Sequence, residues 1–248
     1  MRALGSRTML TAFSVRQQTL IVDLGEFRSV LSSAPRGGGV TRARYILNHQ
    51  VAAQPIGRKI VAARCGDPAR ALTRLAIALG IRAKFVGLMT AVSLAELVTV
   101  REVSGQIWVE GFVTVGTSNA VRAGEPATVR QGTSSCAHPG TINVILVTNA
   151  RLSRSAMVGM VQVATEAKTS VLLREKVKSW TGRPGATGTG TDAVVAVSGN
   201  GPPLRYSGTH TILGELVGRA VETAVTKGLA RYLDWQARRT AHRSVTNE

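Results

Sequence analysis

Thr187-Gly188-Thr189-Gly190-Thr191-Asp192, running directly into Ala193-Val194-Val195-Ala196-Val197-Ser198, is the stretch on which the fold turns. A polar glycine loop opens without a break into a short Val-rich segment, the pattern of a strand buried on both faces. Glycine has no Cβ, so its backbone N–H can approach a ligand closely. Three threonines and one aspartate within these six residues add hydroxyls and an acid to that open backbone, which marks the loop as a candidate site. A second glycine turn follows at Gly199-Asn200-Gly201-Pro202-Pro203, then Arg205-Tyr206-Ser207-Gly208-Thr209-His210. Beyond it, Ile212, Leu213, Leu216, Val217, Ala220, Val221, Ala224 and Val225 recur on one helical face and predict a helix from about Thr209 to Leu233. Arg238 to Glu248 has no apolar period and reads as a frayed basic tail.

Upstream, the same strand-then-helix unit occurs once more. Thr141 to Thr148 is a strand preceded by Gly140 and carrying Asn143. Ser153 can cap a helix whose apolar positions include Ala156, Met157, Met160, Ala164, Ala167 and Val171, with Thr165, Glu166 and Lys168 among its polar residues. The first half is strand-rich. Leu20–Leu24 and Phe27–Leu31 read as two strands about a tight turn at Gly25-Glu26, followed by the glycine-rich loop Ser32 to Gly39. In the next strand Tyr45, Leu47, His49 and Val51 share one face, and Arg44, Ile46, Asn48 and Gln50 the other. Asp67-Pro68 is a helix start and Gly80 its stop. Phe85 to Thr90 is a strand, Leu97–Val103 and Ile107–Val115 form a hairpin about Ser104-Gly105-Gln106, and a polar cluster, Gly116 to Ala120, closes it. Residues 122–139 read as an extended connection. The whole predicts a mixed α+β (α/β) domain over residues 1–234, its mixed sheets flanked by long helices, with 235–248 as a basic tail.

Composition narrows the function. In 248 residues, 44% hydrophobic content supports a core, and only 4% aromatic content leaves that core to Val, Ala, Leu and Ile. Net charge is +17, from 31 Lys plus Arg against 14 Asp plus Glu, spread along the chain. That charge admits anionic partners, but the sequence has no aromatic stacking platform and no helix-turn-helix, so nucleic acid is not the expected partner. Cys65 and Cys136 form no CxxC pair and suggest a reducing compartment. No apolar run is long enough for a membrane span and no secretory h-region follows the start; a cytoplasmic location is the expectation.

Specific nucleotide and metal motifs fail. Gly185 to Asp192 lacks the Gly-Lys-Ser/Thr ending of a P-loop, and it precedes a strand where a dinucleotide fingerprint would follow one. His49, His138, His210 and His242 show no paired spacing, so no metal site is expected. There is no Gly-x-Ser-x-Gly elbow.

The order of motifs is the more specific signal. Ser32-Ser33-Ala34-Pro35 with Gly37-Gly38-Gly39, Asp67-Pro68, Val86 to Ala91, Gly140-Thr141-Ile142-Asn143, Ala164 to Thr169, Thr187 to Asp192, and Tyr206 to His210 follow one another. Together they resemble the adenosylcobinamide amidohydrolase (CbiZ) family over roughly residues 20–228. The resemblance implies hydrolysis of the amide joining aminopropanol to a corrin propionate arm, giving adenosylcobyric acid in cobamide (vitamin B12) salvage. It implies a corrinoid substrate that carries its own cobalt and no further cofactor, and self-association into a homo-oligomer is allowed for. The Gly-Thr-Ile-Asn strand, long helix, Thr/Gly loop and Ala-Val-Val strand are also similar to DmpA-type aminopeptidases, a likeness that implies an αββα sandwich.

By chemistry alone, amide hydrolysis needs a nucleophile, a base and oxyanion donors. Gly188 and Gly190 N–H groups with the Thr189 or Thr191 hydroxyls are candidate donors. Asp192 or Glu166 is the candidate base, with His210 and more remotely His49 as rivals. Lys168 would hold a developing carboxylate or tune Glu166. Asn48 and Asn143 would meet the peripheral amides of the corrin, since an Asn both donates and accepts, and Tyr206 would line the substrate. Each has an ordinary structural reading beside the functional one. The competing function classes are a non-catalytic corrinoid binder and a basic nucleic-acid binder.

Overall fold

The computed structural model describes residues 8–51, 53–56, 59–62, 67–126 and 140–245. Cys65, Cys136, His138 and the connection at 127–139 lie outside the described residues. Eight strands form the main sheet: β1 (Ala12–Arg16), β2 (Thr19–Ser32), β3 (Gly39–Gln50), β4 (Phe85–Thr90), β5 (Val98–Ser104), β6 (Ile107–Val115), β7 (Ile142–Thr148) and β8 (Ala193–Val197). The helices are α1 (Pro68–Ala78), α2 (Arg154–Arg174) and α3 (Ile212–Val245). Strand order is β4-β3-β2-β8-β7-β6-β5, with β1 added to β2. β3/β4 and β7/β8 are parallel pairs; the other neighbours are antiparallel.

The sheet folds back on itself. β3 and β7 are three places apart in the strand order, about 14 Å at ordinary strand spacing. Yet Asn143 Nδ2 of β7 donates to Asn48 Oδ1 of β3 at 2.9 Å and to Met89 O of β4 at 2.8 Å. Leu20, Val22, Ile46, Val86 and Leu88 from one half share a buried cluster with Phe112, Ile145, Val147, Val195 and Val197 from the other. Strand alternation sends the intervening residues outward. Ile21 and Leu47 pack under Leu72 and Ala76 of α1, while Val144, Leu146, Val194 and Ala196 pack under α2 and α3. The result is helix, sheet half, sheet half, helices: a mixed α+β fold.

Three local expectations change. Thr19 to Ser32 is one strand, because Gly25-Glu26 is a bulge and not a turn: the β2/β3 register shifts between Asp23 and Arg28 while Gly25 takes φ +77°. Gly39, expected in a loop, begins β3. The last helix starts at Ile212, where Thr211 Oγ1 accepts from Gly214 N at 3.0 Å, and it stays helical to Val245 where a frayed tail was expected. β1 is not legible in the spacing, and its place is set by antiparallel pairing with β2; strands β4 to β8 and helices α1 and α2 fall near where the spacing places them. Asp67 and Ser153 cap α1 and α2 through their side chains, accepting from Ala69 N and Ala156 N.

Candidate active site

The parallel pairing of β7 with β8 sets Asn143 opposite Ala193, so the residues leading into both strands meet at one end of the sandwich. Thr141 Oγ1 donates to Thr191 O at 2.9 Å, and Thr191 Oγ1 returns a bond to Gly140 O at 3.1 Å. Asp192 stands at the centre. Its Oδ1 accepts from Ile142 N at 2.9 Å and from the Thr189 hydroxyl, and its Oδ2 accepts from Thr189 N at 3.0 Å. Lys168 reaches down from α2 and closes the set, Nζ to Oδ2 at 2.5 Å. Both side chains of this ion pair are nearly withdrawn from solvent, at 8% and 13% exposure.

A Cβ at 188 would stand 2.5 Å from Asp192 Oδ2 and 2.8 Å from Lys168 Nζ, so any side chain there would have to displace the ion pair. Gly190 and Thr191 are exposed, forming the open lip of the loop.

A further wall comes from the polar cluster after β6. Thr189 pairs with Ala120 and Gly188 with Val121 in a short antiparallel ladder. This brings Ser118 and Asn119 onto Gly140, whose Cβ would lie 2.4 Å from Asn119 Oδ1 and 2.7 Å from Ser118 Oγ. Asn119 Oδ1 is buried and accepts no hydrogen bond among the described residues; its Nδ2 lies 3.9 Å from where a Gly190 Cβ would be. Glu125 clasps the same loops together by accepting from Arg122 N, Ser179 Oγ and Thr181 Oγ1, and these bonds hold its carboxyl below the usual range.

The sequence-predicted residues divide into three groups. Asp192, Thr189, Thr191, Lys168, Gly188 and Gly190 converge at this end. Asn48 and Asn143 lie directly beneath, but each is 1% exposed. Their amides are spent on each other, on Met89 O and on Thr114 Oγ1, while Asn143 Oδ1 accepts from Thr141 Oγ1 at 3.3 Å. They form a sealed layer beneath the loop, with their amide groups turned into the protein. The third group is elsewhere. Glu166 is exposed on α2 and accepts from Gln162 Nε2 at 3.1 Å. Two positions from Lys168 on a helix, it points away from Asp192. Tyr206 (73% exposed) and His210 belong to the turn before α3. That turn is tied to the start of α2 through Ser207 Oγ donating to Ala156 O at 2.6 Å, roughly 18 Å of helix from Lys168. His49 sits on the α1 side of β3, its Nδ1 2.9 Å from Thr19 Oγ1, and burial lowers its pKa. Ser118, Asn119 and Thr141 were not among the predicted site residues. The polar run Gly116 to Ala120 was the one signal for Ser118 and Asn119, and only the ladder to Gly188–Thr189 brings it into place, whereas Thr141 was visible within the Gly140-Thr141-Ile142-Asn143 motif.

Comparison with known proteins agrees with the order of the motifs. The family model for adenosylcobinamide amidohydrolase matches residues 5–237. An adenosylcobinamide amidohydrolase of Methanosarcina mazei is 31% identical over 227 residues, covering 88% of this chain and 96% of the relative. An uncharacterized protein of Methanocaldococcus jannaschii is 30% identical over 230 residues, 86% of each chain. The solved structure of the PH0078 protein from Pyrococcus horikoshii covers 91% of this chain and 81% of its own at 11% identity, with a TM-score of 0.45, a superposition too loose to carry a conclusion. The chain belongs to the adenosylcobinamide amidohydrolase family.

Proposed function

We propose that this protein hydrolyses the amide between aminopropanol and the corrin ring of adenosylcobinamide, releasing adenosylcobyric acid, and that the chemistry is carried by Thr189, Asp192 and Lys168. One observation carries the reading: the continuous chain of hydrogen bonds from Lys168 Nζ through the Asp192 carboxylate to the Thr189 hydroxyl, just beneath the exposed Gly190–Thr191 lip. That is a nucleophile bonded to a base, and a base bonded to an orienting cation.

Thr189 Oγ1 adds to the amide carbonyl carbon as its proton passes to Asp192 Oδ1. The oxyanion forms beside the exposed Gly190 backbone and Asn119, whose N–H groups are its donors; one such donor is typically worth about 10²–10³ in rate. The C–N bond then breaks and the departing aminopropanol nitrogen takes the proton from Asp192. Water cleaves the threonyl ester with Asp192 again as base, which frees the corrin carboxylate and restores the hydroxyl. Lys168 holds Asp192 in place throughout, and the buried Asn48–Asn143 pair keeps the head of β7 rigid beneath it.

The experiment is incubation of the purified protein with adenosylcobinamide, with and without a chelator, followed by mass spectrometry for adenosylcobyric acid and aminopropanol. Release of both supports the reading. Thr189→Ala should abolish release while Thr189→Ser retains part of it. Bound corrinoid without release would replace the hydrolase with a corrinoid-binding protein, and neither binding nor release would remove the corrinoid altogether.

A further inference from the structure

The glycine-rich turn after β2 takes no part in the candidate active site, yet its geometry is narrowly specified. Gly37 has φ +74°, and a Cβ there would stand 2.9 Å from Phe85 O; one on Gly38 would stand 2.4 Å from Ala34 O. This tight packing lays Arg36 along β4, with Arg36 N donating to Gly87 O at 3.3 Å and Gly87 N to Arg36 O at 2.9 Å. The side chain is fixed as well. Its Nε donates to Thr73 Oγ1 of α1 at 3.1 Å, and its guanidinium carbon lies 5.5 Å from the Phe85 ring centroid. Two contacts orient one planar cation, and its terminal nitrogens make no ion pair among the described residues.

Arg36 is the shared wall of two adjoining clefts. One, of about 460 Å³, lies between the C-terminal half of α1 and the start of β4, and includes Arg82 and Lys84. The other, of about 400 Å³, runs along α1 past Arg70 and Arg74. Asp67 is the one carboxylate described in contact with these cations, 3.3 Å from Arg70. Five cations against one carboxylate leave a charge of +4 around the clefts. Such an accumulation repels itself in the empty protein and attracts an anion.

We propose that this double cleft binds the polyphosphate group of a nucleotide-sized ligand, with Arg36 as the fixed anchor and Arg70, Arg74, Arg82 and Lys84 as flanking charges. A pre-oriented guanidinium fork suits two phosphate oxygens better than a lone lysine would. The basic positions run from Arg70 along roughly 12 Å of α1 to Ala78 and on past the turn at Gly80, too far for one phosphate to meet. The first cleft has the volume of a small-ligand site, and the second continues it as a shallow groove along α1. Phe85 is buried at 8% exposure and lies under Arg36, so no aromatic face is free to stack a base. The phosphates are recognised and the base is not, and a single-stranded nucleic acid would lack the platforms it normally uses.

The full chain is titrated calorimetrically, without corrinoid, against tripolyphosphate, ATP, orthophosphate and an oligothymidylate of about twelve nucleotides. The proposal expects tripolyphosphate and ATP to saturate with similar affinity, to weaken as salt rises, and to bind at least about ten-fold more tightly than orthophosphate. Arg36→Gln should weaken tripolyphosphate about ten-fold or more. Arg74→Ser, at an exposed helix position where folding is not at stake, should weaken it several-fold. No saturable binding of tripolyphosphate overturns the proposal, as do wild-type affinities in both variants. Oligothymidylate binding more tightly per charge than tripolyphosphate also overturns it, in favour of a nucleic-acid groove. Because no corrinoid is present, these outcomes are separate from those of the amide reaction.

Discussion

Asp192 is a carboxylate held by four donors at once: an ammonium, a hydroxyl and two backbone N–H groups. A carboxylate has about four acceptor positions, so its orientation is set on every side, and each donor depends on the charge being there. Lys168→Met strands that charge in a nearly closed site, and removing one partner of such a pair costs about 3 kcal/mol or more. The variant should unfold at a clearly lower denaturant concentration, as well as lose hydrolysis. Asp192→Asn keeps the shape but gives up the proposed base, so the proposed adenosylcobinamide turnover should fall about 10³-fold or further while a native circular dichroism spectrum is retained. Gly188→Ala tests the same geometry by space alone: its methyl must displace Lys168 or Asp192, and turnover should fall with it. Asn48 separates floor from surface. Asn48→Ala leaves the Asn143 amide short of a buried partner, a cost of about 1–3 kcal/mol by denaturant titration. KM in the folded protein should be unchanged, whereas a direct corrin contact would raise it.

At the scale of elements, the long helix α3 lies on the hairpin β5–β6 through small residues. Gly228 has room for no side chain, because a Cβ would meet Val115 Cγ2 at 2.6 Å and Val98 Cγ2 at 3.7 Å. Gly228→Leu should therefore destabilise by about 3 kcal/mol, in the range of overpacked cores, with the loss read from thermal unfolding. A milder result would mean that α3 can slide on its sheet. The same element shows where periodicity succeeds and where it stops. Leu213, Leu216, Val217, Ala220, Val221, Ala224 and Val225 are all buried, as their spacing predicts, but Ile212, expected on the same face, is 54% exposed because it is the first residue of the helix and lies beyond the sheet it packs on. The helix then continues past the apolar pattern to Val245, since backbone hydrogen bonds propagate a helix once it is formed even where no face is apolar. Gly25-Glu26 misled for a related reason. A left-handed glycine serves a bulge as well as a turn, and what decides between them is the partner strand β3, which runs on unbroken beside it.

For the molecule as a whole, pH acts through a group at the edge of one layer. Burial lowers the pKa of His49 from 6.5 in the folded chain, partly opposed by a hydrogen bond to the Gln18 backbone. The unfolded state then binds the proton first, so this contribution to stability is present above about pH 6.5 and is lost as pH falls from there toward the lowered folded value. Chemical denaturation across that window should show stability falling with pH, and His49→Gln should flatten the slope. The folding of the sheet is the larger consequence at this scale. It places the outward faces of β2–β4 under α1 and those of β5–β8 under α2 and α3, and it presses Asn48 against Asn143 across the inside.

The sequence by itself determined the strands and helices that have a clean period, the caps at Asp67 and Ser153, the paired strand–helix units, and the loop that carries Thr189, Thr191 and Asp192. Those depend on neighbours in the chain, whose spacing is visible in one dimension. The ordered motifs also pointed to the family. Only the tertiary structure decided that Lys168 and not Glu166 meets Asp192, because the choice depends on which side of α2 faces the sheet. It decided too that Asn48 and Asn143 are a sealed pair, that Tyr206 and His210 stand at the far end of α2, and that Ser118 and Asn119 close the site. Each of these rests on contacts between residues dozens of positions apart, made when one sheet folds over on itself, and no local spacing encodes them.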